Sequence, residues 1–106
     1  MTIQELTQRA MDMRSRYAAL EQQRYGRSWN TEEVALGFVG DVGDLAKLVL
    51  AEAGVRGIPD HREKLRHELA DCLWSVLVLA HLCGVDLEQA FVATMDQLEA
   101  RPAALA

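Results

Sequence analysis

The segment from Cys72 to His81 would be apolar on nearly every side of a helix, with Ser75 its only hydroxyl, and it constrains the fold more than any other part of the chain. A helix that is hydrophobic all round has to be buried all round. A chain of 106 residues has room for one modest core and covers one face of such a helix rather than all of them. The remainder calls for a partner, and a second copy of the same chain is the simplest one.

Helical punctuation recurs four times. Thr2 with Glu5 makes a capping-box start for a first helix, with an apolar series through Leu6, Met13, Tyr17 and Leu20 and a stop near Gly26. A second helix is expected from Asn30 or Thr31 to about Gly54, with Glu32 and Glu33 in the first turn, where the helix dipole favours negative charge. Gly54 to Pro59 reads as a loop. Asp60, with Glu63 three residues on, caps a third helix that stops at Gly84; Asp86 with Gln89 opens a fourth that ends before Pro102. Period-two alternation never persists and no hairpin dipeptide occurs, so the chain is expected to be all-α, one domain over 1–106 with a fraying alanine-rich tail.

Two acidic pairs stand inside these apolar helices. Asp41 and Asp44 lie among Phe38, Val39, Val42 and Leu45; Glu68 and Asp71 lie among Leu65, Leu69, Cys72 and Leu73. At spacing i, i+3 the members of each pair share a helix face, and antiparallel helices would bring all four carboxylates together. Two carboxylates about 5 Å apart repel by roughly 3 kcal/mol at an effective dielectric near 20. Such a cluster favours a hard divalent cation with oxygen ligands, Mg²⁺ or Mn²⁺.

Other chemistries are poorly served. His67-Glu68 lacks the second histidine of a zincin helix, and no Glu-x-x-His pair is available for a di-iron bundle. Cys72 and Cys83 would lie about 16 Å apart on one helix, too far to bridge, and are expected to be small core residues. Basic residues are scattered, which argues against polymeric nucleic acid. The net charge of −5 is owed largely to the four acids. The start has no signal-peptide pattern, the longest apolar run is too short to span a bilayer, and a cytoplasmic protein with no membrane partner is expected.

The runs Leu36-Gly37-Phe38-Val39-Gly40-Asp41-Val42-Gly43-Asp44, His67-Glu68-Leu69-Ala70-Asp71 and Gly84-Val85-Asp86-Leu87-Glu88-Gln89 resemble the MazG-type all-α nucleoside triphosphate pyrophosphohydrolases, in particular their small dCTP-pyrophosphatase-like branch. The resemblance covers about residues 28 to 101. It implies a four-helix MazG-like bundle completed by homo-oligomerisation, as a homodimer or homotetramer. It also implies Mg²⁺-dependent hydrolysis of (deoxy)nucleoside triphosphates to the monophosphate and pyrophosphate. The metal ligands would be Asp41, Asp44, Glu68 and Asp71, with Asp41 the catalytic acid nearest the attacking water. Aspartates replace both glutamates of the family's first pair, and Thr94 and Leu98 stand where its last helix usually presents Lys and Asn.

On the substrate side, Trp29 in Arg27-Ser28-Trp29-Asn30 is a candidate for stacking on a base, because the same branch carries a Trp-Asn pair there. Arg27 and Arg56 are candidates for phosphate charge. The alternative reading is a non-catalytic helical dimer, a sensor or regulatory subunit that binds a metal-nucleotide without turning it over.

Overall fold

The structure is a computed structural model and describes residues 1–101; Pro102 and the alanine tail lie outside the described residues. Four helices account for nearly all of it: α1 (Ile3–Tyr25), α2 (Thr31–Glu52), α3 (His61–Leu82) and α4 (Leu87–Glu99), with no strand among the described residues. The chain is all-α, as expected.

The helix starts follow side-chain chemistry in three cases. Thr2 accepts the Glu5 amide at 3.1 Å. Asn30 and Glu33 form a reciprocal capping box, satisfying two of the amides that a helix start leaves unpaired. Asp86 accepts the Gln89 amide at 3.1 Å.

The fourth start corrects the expectation for Asp60. That residue is left-handed (φ 54°) and its carboxylate makes no cap; only its carbonyl serves, accepting from Lys64 at 3.2 Å. Glu52 instead ties the two helices here, reaching His61 at 3.1 Å and Arg62 at 2.8 Å. Glu52 ends α2 and Arg62 stands in the first turn of α3, so each charge opposes its own helix dipole and the pairing across the turn offsets both.

Glycines close three helices in the left-handed region. After α2, Gly54 (φ 78°) donates to Ala51 and Val55 to Leu50; after α3, Gly84 (φ 69°) donates to His81 and Val85 to Ala80. Both are Schellman turns, the geometry that makes glycine favourable at that position.

α2 and α3 form an antiparallel hairpin with the most extensive packing in the chain; α1 lies along α3, and α4 rests chiefly on α1. The core is built from Ala10, Val34, Leu77 and Val78, with Ile3, Leu6, Met11, Trp74, Leu79 and Leu87 around it. Leu48, Ala51 and Leu65 are buried toward the other end of the hairpin.

The face of α1 differs from the expected one. Met13, Tyr17 and Leu20 are exposed, while Ala10 and Arg14 are buried. Cys72 is half-buried, but Cys83 is exposed, because it caps α3 where the chain turns outward. No single helix among the described residues is long and apolar enough to cross a bilayer.

The protomer is open. Its radius of gyration is 16.8 Å, against about 13 Å for a compact domain of this length. α4 buries no residue completely, and large apolar side chains remain at the surface of α2 (Leu36, Val39, Leu50), α3 (Leu69, Leu73) and α4 (Phe91).

Candidate active site

The antiparallel register of α2 and α3 carries both acidic pairs to one level of the hairpin. Asp41, Asp44 and Glu68 each offer a carboxylate oxygen within 4.8 Å of the others. Glu68 points inward from α3, and its Oε2 is buried without a hydrogen-bond partner among the described residues. Orphaned buried polar atoms are rare because each forfeits its hydration.

Two carboxyls are pushed above the ordinary carboxylate range. Burial does this to Asp41 first, followed by the charges of Asp71 and Asp44; Glu68 responds to burial, then to Asp41, Asp71 and Asp44. His67 opposes the shift in both cases. Burial, followed by the charges of Asp41, Glu68 and Asp71, also raises the Cys72 thiol. The local arrangement therefore resists its own negative charge, as expected of oxygen ligands gathered for a cation.

Asp71 occupies a different position from the other three. It is close enough to raise Asp41, yet its carboxylate lies 3.1 Å from His67 Nε2, across one helical turn, and stands apart from the converging set.

From Asp41 a cleft of about 290 Å³ runs along α2 to Trp29. Phe38, Tyr17 and Trp74 contribute aromatic walls, with Ser75 at the same level. Trp74 is mainly structural: its indole N–H donates to the Ala10 carbonyl at 3.2 Å and its ring meets Tyr17 edge-on, with centroids 6.1 Å apart. Trp29 is 46% exposed and lies over Gly37. A Cβ at Gly37 would come within 3.0 Å of the Trp29 ring, so glycine gives the indole room to lie against α2.

The structure brings together Trp29, Asp41 and the acid cluster, but places Arg27 and Arg56 outside this cleft. Arg27 is committed to Glu33 through two contacts of 2.7 Å. Arg56 is exposed in the turn after α2, beyond the opposite end of that helix from Trp29. The cationic side chain that does border the cleft is Arg14, which sequence reasoning missed together with its partner Glu21. The signal was present: Ile3, Thr7, Ala10, Arg14, Tyr17 and Glu21 follow alternating spacings of four and three, so both charges continue the stripe that carries Ala10 into the core. Thr94 and Leu98 lie exposed on α4 and line neither the cleft nor the acid cluster.

Residues 30–105 match the family model of the MazG nucleotide pyrophosphohydrolase domain. The chain belongs to that family. Among curated proteins, dCTP pyrophosphatase 1 of Rattus norvegicus and of Mus musculus are each 41% identical to it over 66 residues, 58% of this chain and 39% of the relative. The match thus spans about two fifths of the length of these relatives. In this MazG domain both acidic pairs fall inside the matched segment, while Arg14, Glu21 and Trp29 precede it.

Proposed function

We propose that this MazG-family chain hydrolyses a (deoxy)nucleoside triphosphate to its monophosphate and pyrophosphate, using Mg²⁺ or Mn²⁺ held by Asp41, Asp44 and Glu68, with Asp71 beside them. One observation carries the reading: a Glu68 carboxylate with a buried, unpartnered oxygen, gathered with those of Asp41 and Asp44 so that one oxygen of each lies within 4.8 Å of the others. Oxygen donors alone, without a sulfur or imidazole in the converging set, suit a hard cation. Such an ion, when bound, supplies Lewis-acid polarisation of phosphate oxygens and offsets charge on the departing pyrophosphate.

The chain's own residues divide the remaining work. Asp41 belongs both to the acid cluster and to the cleft, so a nucleotide with its base toward Trp29 would direct its phosphates at Asp41. Its place where the acid cluster meets the cleft makes Asp41 the candidate to take the proton of the attacking water as the α–β phosphoanhydride breaks. Trp29 offers an open ring face for a base, and the relatives named for dCTP support a pyrimidine deoxynucleotide as the first substrate to try.

The same reading includes a second copy. On α2, Leu36, Val39, Gly43, Ala46 and Leu50 repeat at alternating spacings of three and four and are all exposed; Leu69 and Leu73 extend an apolar surface on α3. Two such protomers would bury each other's stripes as a homodimer, and two dimers could pair into a homotetramer. Light scattering should give two or four times the protomer mass of 11.8 kDa; a monodisperse monomer at micromolar concentration would overturn this part.

The test of the activity is chromatography of products from a panel of nucleoside triphosphates with Mg²⁺. Equal amounts of monophosphate and pyrophosphate from at least one nucleotide, lost in Glu68→Gln, are expected. Thermal stabilisation by nucleotide without product would transfer the reading to the non-catalytic binder. No response to any nucleotide would overturn both.

A further inference from the structure

We infer that Arg14 and Glu21 of α1 are positioning residues for Trp29, and that α1 thereby sets the base-side wall of the cleft. This rests on the reading of Trp29 as a base-side residue given above.

The geometry is a closed clamp. Arg14 is 8% exposed; its Nη2 donates to the Trp29 carbonyl at 2.7 Å, and its Nη1 meets Glu21 at 3.3 Å. Glu21 Oε1 in turn accepts the Trp29 amide at 2.8 Å. One ion pair, its arginine buried and its glutamate half-buried, therefore holds both backbone polar groups of the same residue. Asn30, immediately afterwards, is fixed as the cap of α2. The indole is left with Gly37 beneath it, where a methyl group would already sit 3.0 Å from its ring.

What this clamp does not do is bury the tryptophan. A structural Trp ordinarily spends its large apolar area in the core, whereas this one is 46% exposed while its backbone is held by a buried arginine and a half-buried glutamate. Fixing an open aromatic face beside a cleft that ends at an acid cluster lowers the entropy lost when a planar ligand stacks on it. Arg14 and Glu21 need not touch the ligand for this; each acts through Trp29.

The consequence is measurable as a split between binding and chemistry. The probe is the α,β-imido analogue of dCTP with Mg²⁺, titrated calorimetrically, with steady-state hydrolysis of dCTP alongside. In Arg14→Met, Glu21→Gln and Gly37→Ala, Kd and KM are expected to rise about tenfold while kcat stays within threefold, since the acid set is untouched. Arg14→Lys, which keeps a charge and one donor, should recover part of the loss. Protein labelled with 5-fluorotryptophan should show the Trp29 resonance, assigned by its disappearance in Trp29→Leu, broadened or shifted in all three variants.

The outcomes separate cleanly. If Trp29→Leu leaves Kd within twofold of the parent, the base-side reading falls and this inference with it. If Trp29→Leu weakens binding but Glu21→Gln and Gly37→Ala leave Kd unchanged, the clamp alone is overturned. An unchanged fluorine signal in Arg14→Met and Glu21→Gln overturns it as well, and that readout needs no ligand. Should Arg14→Met fail to fold, Glu21→Gln and Gly37→Ala decide the matter.

Discussion

Arg14 and Glu68 are both charged side chains drawn out of bulk water, one bordering the cleft and the other in the acid cluster that joins it through Asp41, and the molecule treats them in opposite ways. Arg14 is fully engaged, with Glu21 on one side and the Trp29 carbonyl on the other. Glu68 faces two more carboxylates and keeps an oxygen without any partner. The first arrangement is complete within the protomer and orders a loop. The second is complete only when something positive is added, which is how a site built for a cation differs from a structural ion pair.

Breaking the satisfied side should have the largest effect on folding. Arg14→Met strands Glu21 and removes the donor to the Trp29 carbonyl, at a cost of about 3 kcal/mol, the range found when one partner of a buried pair is removed. Urea denaturation followed by circular dichroism measures it. A loss below about 1 kcal/mol would mean that the pair is solvated in practice and that the contrast with Glu68 is overdrawn.

On the unsatisfied side the main effect is expected in chemistry. Glu68→Gln and Asp41→Asn should each reduce hydrolysis by at least about 100-fold, the scale of a lost electrostatic contributor to a transition state. Product formation in single-turnover conditions measures this without interference from release steps. Retained activity in either variant would remove that residue from the reactive set.

Coupling within the clamp gives a smaller and sharper number. The double variant Arg14→Met with Glu21→Gln should be more stable than the sum of the two single losses implies, by about 1 kcal/mol or more, because neither change then leaves an unpaired charge. Simple additivity in a double-mutant cycle would show that the two residues act independently.

Much of this was legible in the sequence, for physical reasons that also mark where legibility stopped. Thr2, Asn30 and Asp86 announce their helices because an N-cap is a local hydrogen bond, and Gly26, Gly54 and Gly84 end three because left-handed backbone favours glycine. Asp60 has the right residue type but sits in the left-handed region, where its carboxylate cannot reach the amides it was expected to cap. The two acidic pairs were readable as a site because helical spacing alone sets them on shared faces; the diversion of Asp71 to His67 depends on rotamers that spacing does not specify. Arg14 was missed because a charge in an α1 stripe reads as a surface residue until its partners, one of them fifteen residues away in a loop, are known. Arg27 and Arg56 were attractive as free cations, and only the fold shows one engaged by Glu33 and the other placed past the far end of α2.

The smallest expected effect tests the central claim most directly, because it asks only whether the acid cluster is unfavourable until a cation enters it. Parent and Glu68→Gln proteins should be melted side by side, first with EDTA and then with millimolar Mn²⁺. With EDTA, Glu68→Gln should melt higher by a few degrees, corresponding to about 1 kcal/mol, because it removes a buried charge repelled by Asp41, Asp71 and Asp44. With Mn²⁺ the order should invert, as the parent gains from binding to its folded state and the variant gains less. The same order in both buffers, or a parent indifferent to the metal, would contradict the assignment of Asp41, Asp44 and Glu68 as a cation site.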